Sequence, residues 1–260
     1  MNHILAPVAF CSKPGSLQTR IILFYPHNSR RKVDMASNVE ARVQVPAFNL
    51  REKLFILAID DDKKRVTSSA KEMLRYGLAG ALLAELAVAG RLRIEQKKLV
   101  VEDASPTGDE TLDAILQEMT TKKPRKPANW VSKLSGKKVV RQVAERLAAR
   151  NVIRIEEKLY LWVFPAEDYT PQDASAKFWL KQHLRSVVLA GAKAEPEDVI
   201  LLSLVKGSRL LNLVFTRDER KAASKKVAAL IRGEAFGEAV AEVLDEIDAA
   251  VAASAIAVSA

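Results

Sequence analysis

Cysteine is nearly missing from this chain. Cys11 stands alone among 260 residues, so no internal disulfide framework can form. Histidine is almost as scarce, and His3, His27 and His183 are too scattered to assemble a Cys/His zinc centre, so no structural metal is expected. No stretch approaches the roughly 18 uninterrupted apolar residues of a membrane span, and an integral membrane protein is not expected. The chain also has no Gly-rich phosphate loop, no nucleophile elbow, no His/Glu metal motif and no second acid near Glu85 in sequence. Catalysis therefore has no recognisable machinery, and the expectation is a protein that is not an enzyme and needs no cofactor. Acidic residues are missing from the first 33 positions, which hold five basic ones. His3 to Phe10 is interrupted by Pro7 with no charge before it, so no signal peptide is expected, and although the acid-poor, Arg-bearing beginning resembles a weak organelle transit peptide, a translation start at Met35 explains it with less. Residues 1–45 are expected to be a flexible basic tail and residues 46–260 a single domain.

Basic charge is present, and it is concentrated. The net charge is +9, and residues 122–150 alone carry ten basic residues against the single Glu145, an excess equal to the whole. Charge gathered in this way attracts phosphate, which means an anionic membrane surface, nucleic acid or an acidic partner. At 48% apolar residues the chain has ample material for a core, and about three quarters of its surface is buried on folding at this size.

From Leu50 the chain becomes regular. Leu54 to Ile59 is apolar, without a clear period, and stops at Asp60-Asp61-Asp62, an acidic turn that reads as a solvated loop rather than a cation site. Residues 68–89 read as a helix that is apolar on every face from Gly77 to Ala89 except at Glu85, and such a helix belongs at the centre of a domain. Its Gly77, Ala79, Gly80 and Ala81 allow neighbouring helices to approach closely. Glu85 is either a catalytic carboxylate with a raised pKa or, more simply, a buried acid that accepts hydrogen bonds or pairs with a base. Arg91 to Glu95, a polar turn and Leu99 to Glu102 then form a short β-hairpin.

Sixty-one residues later the same plan returns, with Asn151 in the place of Gly90, both where a helix C-terminus takes a left-handed residue. In this second hairpin the turn falls at Glu157-Lys158, and Leu159 to Phe164 follows as six apolar residues without alternation, so neither face of that strand is prepared for water. Between the hairpins, Thr107 or Asp109 caps a helix running to about Met119, Asn129-Trp130-Val131 opens a short helix, and Lys137-Lys138 and Arg141 open another. Segments near 174–190, 197–206, 217–231 and 235–256 have helical spacing, with Thr216 to Glu219 a capping box. The fold class is mainly α: a central helical bundle surrounded by amphipathic helices and short hairpins.

Tyr76-Gly77-Leu78-Ala79-Gly80-Ala81-Leu82-Leu83-Ala84-Glu85-Leu86-Ala87-Val88-Ala89-Gly90-Arg91-Leu92, then Ser105-Pro106-Thr107-Gly108-Asp109 and Asn129 to Gly136, resemble the Golgi phosphoprotein 3 family over about residues 50–260. The Ala-rich ending from Ile247 is similar to the prokaryotic members. The resemblance implies a peripheral membrane protein that binds phosphatidylinositol 4-phosphate in a basic pocket, inserts a hydrophobic hairpin tip and, in eukaryotes, works on the cytosolic face of the Golgi. The partners it implies are an anionic phospholipid surface, client membrane proteins and a second copy of the chain through the second hairpin. The family's pocket tryptophan falls on Ala70, its partner arginine on Ala79 and its second basic pair on Lys137 and Val140, so a loosened pocket is expected. Arg75, four residues before Ala79, and Arg141, four after Lys137, share the relevant helix faces. Arg75, Lys137, Lys138 and Arg141 are thus the candidate headgroup ligands, and Leu159, Tyr160, Leu161 and Trp162 the candidate inserting tip. A helix followed by a hairpin is also the plan of a winged-helix module, which makes nucleic-acid binding the alternative. The apolar run and the absence of base-reading side-chain spacing count against it.

Overall fold

The computed structural model describes residues 47–160, 164–231 and 237–259, and the expected tail lies outside them. Asn49 starts α1 (Leu50–Leu57) with a reciprocal capping box: its side chain accepts from the Glu52 N–H at 2.9 Å, and the Glu52 carboxylate accepts from the Asn49 N–H at 3.1 Å. The apolar run of undecided type is therefore helical. Thr67 caps α2 (Ser68–Val88), the central helix, which packs against α1, α4 (Pro127–Leu134), α5 (Lys137–Ala149), α7 (Pro196–Gly207) and α10 (Glu238–Ser259). Two glycines make that crowding possible. A methyl group on Gly77 would stand 2.3 Å from Ser208 Oγ, and one on Gly80 would stand 2.5 Å from a Val251 methyl.

The repeated helix-to-hairpin plan is realised by one backbone device used twice. Gly90 has φ +69°, the Arg91 N–H donates to the Leu86 carbonyl at 2.9 Å and the Gly90 N–H to the Ala87 carbonyl at 2.9 Å. At the end of α5, Asn151 has φ +56°, and the Val152 and Asn151 N–H groups reach Leu147 and Ala148 in the same pattern, at 3.0 and 2.9 Å. Both are Schellman caps, which satisfy the last helical carbonyls and turn the chain into a strand.

The hairpins then diverge. β1 (Leu92–Glu95) pairs with β2 (Lys98–Val101) across Gln96 and Lys97, both with positive φ, as a two-residue primed turn requires. In the second hairpin the expected turn at Glu157-Lys158 does not occur. β3 (Ile153–Tyr160) runs straight through it and pairs with β4 (Phe164–Pro171), from Ile153 opposite Pro171 to Tyr160 opposite Phe164. The longer register supplies cross-strand ties that a turn at Glu157 would forfeit, above all Lys158 Nζ donating to Asp168 at 3.0 Å. The six apolar residues are therefore no single strand. They divide between the end of β3, the connection 161–163, which lies outside the described residues, and the start of β4.

Asp109, not Thr107, caps α3 (Glu110–Thr121), accepting from the Thr111 and Leu112 N–H groups, while Thr107 donates to Asp113. The C-terminal part forms α6 (Ser175–Leu189), α7, a four-residue α8 (Leu211–Val214) too short to leave a periodic signal, α9 (Arg220–Ile231) and α10. At the start of α9 the Glu219 carboxylate accepts from the Thr216 N–H at 2.9 Å, one half of the expected box.

Candidate functional site

A cavity of about 920 Å³ lies among α2, α5 and the β3–β4 hairpin. Arg75, Lys137, Lys138 and Arg141, which the sequence spreads over 67 positions, all line it, and so does Leu159. Leu159 is 66% exposed, high for a leucine, and stands two residues before the connection. Only the backbone of Tyr160 is described, and Leu161 and Trp162 lie outside the described residues. Val140 also lines the cavity, whereas Ala79 is fully buried between helices. One helical turn earlier, Arg75 emerges from the core.

The first turn of α5 provides open positive charge. Gly136 begins the helix with no side-chain cap, so N–H groups of the first turn remain free of side-chain acceptors. Lys137 and Lys138 occupy the first two helical positions, are exposed, and have no carboxylate partner among the described residues. Free N–H groups, the positive end of the helix dipole and two ammonium groups coincide there, a combination that suits a phosphate.

The arginines are already engaged. Arg75 pairs with Glu72 at 3.1 Å, donates to the Tyr76 hydroxyl at 2.9 Å and lies over that ring. Arg141 donates to Glu145 at 2.8 Å and to Glu167. The sequence did not single out Lys71, Lys158, Glu72, Glu157 or Glu167 as lining residues. Lys71 was detectable, since it precedes Arg75 by one helical turn. Lys158 and the two hairpin glutamates depend on the strand register and were not.

Two polar knots fix the cavity's walls. Asp168 accepts from Arg65 at 3.1 Å and from Lys158, with Lys71 Nζ 3.9 Å away. Its burial raises its pKa, but the Lys158 hydrogen bond and the Arg65, Lys158 and Lys71 charges prevail and hold it below the ordinary value. Behind α2, Arg51 is 3% exposed and pairs with Glu85 at 2.8 Å and Asp109 at 2.7 Å, which settles Glu85 as the partner of a base. Burial raises the Glu85 pKa despite the opposing Arg51 charge. Asp109, also raised by burial, is carried well below the carboxylate range by hydrogen bonds from Arg51 and Arg146. The acidic turn is likewise occupied: Asp60 accepts from the Asp62 and Lys63 N–H groups, and Asp61 pairs with Lys177 and Lys181.

These directions fix a pH dependence. Asp168 and Asp109 have folded values below their unfolded value near about 4, so their stabilisation is complete above that pH and is lost as pH falls through the folded values. Glu85 has the opposite sign: its contribution is complete below the unfolded value and is lost as pH rises through the raised folded one. The melting temperature should therefore fall on acidification below about pH 4. Asp168→Asn should flatten that fall in a series of thermal melts, and an unchanged slope would count against the Asp168 knot.

A mostly helical domain with a basic cavity beside a two-stranded hairpin defines the class. The family model described as Golgi phosphoprotein 3 (GPP34) matches residues 50–247, and the chain belongs to that family. It is 30% identical over 167 residues to vacuolar protein sorting-associated protein 74 of Eremothecium gossypii, covering 55% of this chain and 50% of that protein. It is 29% identical over 178 residues to the protein of the same name from Schizosaccharomyces pombe, covering 60% and 52%. The chain thus spans about half the length of these curated relatives.

Proposed function

We propose that this protein is a peripheral membrane protein that captures anionic phospholipid headgroups in the basic cavity and seats the tip of the β3–β4 hairpin in the bilayer. In the family the headgroup is phosphatidylinositol 4-phosphate, and in a eukaryotic cell the membrane would be the cytosolic face of the Golgi. The observation that carries the reading is the convergence of Arg75, Lys137, Lys138 and Arg141 on one cavity beside the exposed Leu159. No helix among the described residues is long and apolar enough to cross a membrane, which is compatible with attachment from one side. Each basic residue near an anionic surface contributes about 1 kcal/mol, and a buried apolar side chain about 1.5–3 kcal/mol, so the two together give reversible anchoring. Nucleic acid suits the second hairpin poorly, because the exposed apolar Leu159 would have to lie along a polar groove.

The test combines two variants in vesicle cosedimentation. Arg75→Ala with Arg141→Ala should weaken binding to all anionic lipids alike, because charges without a stacking ring discriminate little between headgroups. Leu159→Glu should fold normally by circular dichroism and lose about tenfold or more in affinity. Tight and exclusive binding of phosphatidylinositol 4-phosphate would contradict the loosened pocket, and an unaffected Leu159→Glu would remove the hairpin from the membrane contact.

A further inference from the structure

We propose that Glu157 and Glu167 set the affinity of this cavity: they are a built-in carboxylate pair that occupies Arg141 and that an incoming headgroup phosphate must displace. The inference rests on reading the cavity as an anion site. In the β3–β4 register Glu157 stands directly opposite Glu167. Like charges at directly opposed positions of an antiparallel pair repel, so this arrangement needs a cation beside it. Arg141 supplies one from α5: its Nη1 donates to Glu167 and lies 3.8 Å from Glu157.

Glu167 is held in place for this role. Its Oε2 accepts from the Tyr169 hydroxyl at 2.5 Å, and the Tyr169 ring is buried edge-on against Phe55, with centroids 5.4 Å apart. Its backbone carbonyl accepts from Lys71 Nζ. The carboxylate that engages Arg141 is therefore fixed by the core rather than drifting at the surface.

The cavity thus has two kinds of cation. Lys137 and Lys138 are free to meet a phosphate at once, whereas Arg141 must exchange one anion for another. A guanidinium bond to phosphate replaces a guanidinium bond to carboxylate, so the exchange gains little at Arg141 itself. Neutralising the glutamates with isosteric glutamines removes the competitor and keeps the strand.

The experiment measures binding of Glu157→Gln with Glu167→Gln to phosphatidylcholine vesicles carrying phosphatidylglycerol or phosphatidylinositol 4-phosphate. The double variant should bind about three- to tenfold tighter than the unaltered protein, the scale expected from releasing partly exposed ion pairs. Glu238→Gln with Glu242→Gln makes the same change in net charge at exposed positions of α10 and should gain much less. Arg141→Ala alone should weaken binding, because both carboxylates then face the headgroup unpaired, and adding the two glutamines should relieve that loss. An unchanged or weaker double variant, an equal gain from the α10 variant, or an Arg141→Ala loss that the glutamines leave unrelieved would each overturn the proposal. If the unaltered protein ignores every vesicle, the proposed function fails. The inference then survives only if the glutamine variant binds, and if neither binds both are overturned.

Discussion

Lys137→Glu with Lys138→Glu should abolish binding to anionic vesicles while leaving the fold intact or slightly more stable. The two side chains are exposed and no carboxylate among the described residues engages them, so nothing in the fold depends on their charge. At the first two positions of α5, glutamates favour the helix dipole where lysines oppose it, by about 0.3–1 kcal/mol each. At the membrane the sign reverses. Removing two attractions and adding two repulsions, each of about 1 kcal/mol, amounts to about 4 kcal/mol, or nearly a thousandfold in affinity. A raised melting temperature together with lost flotation is a combination that a structural role for these lysines cannot produce. Unaltered flotation would show that the open end of α5 does not meet the lipid.

Arg51→Met should be the most damaging substitution for stability. It keeps most of the volume but leaves Glu85 without its cation, and breaking a buried ion pair from one side costs about 3–5 kcal/mol, a large fraction of a domain's total stability. Asp109 retains Arg146, so the loss falls mainly on Glu85. Burial already raises the Glu85 pKa, so the deficit measured in urea should shrink on acidification as protonation removes the unpaired charge. Glu85→Gln should rescue part of it. A loss below about 1 kcal/mol would mean that this knot behaves as an ordinary surface pair.

Much of this architecture could be read from residue order, because the devices that build it are local. Asp109, one of two candidates, caps the helix that follows it, and Gly90 and Asn151 adopt the left-handed conformation that ends two others, whereas the caps at Asn49 and Thr67 went unread and the type of α1 stayed undecided. The all-round apolar character of Gly77 to Ala89 marked α2 as the centre, and its glycines do allow close approach, Gly80 to α7 and α10 and Gly77 to α1 and Ser208. The second hairpin was misread because a strand register is a long-range property. The apparent repeat of the first hairpin suggested a turn at Glu157-Lys158, while the ties of Lys158 to Asp168 and of Arg141 to Glu167 select the longer pairing. Among the cavity's cations, Arg75, Lys137, Lys138 and Arg141 were legible from the family resemblance combined with helix spacing on α2 and α5. Its carboxylates were not, since Glu157 and Glu167 reach it only in the register that residue order does not reveal.

The most direct test of the account is flotation of the unaltered protein on phosphatidylcholine vesicles with and without anionic phospholipid, at low and at physiological salt. Exposed charges are screened within about 8 Å at 0.15 M ionic strength, so the account predicts binding to anionic vesicles alone, falling steeply as salt rises. Equal binding to neutral and anionic vesicles, indifferent to salt, would contradict it.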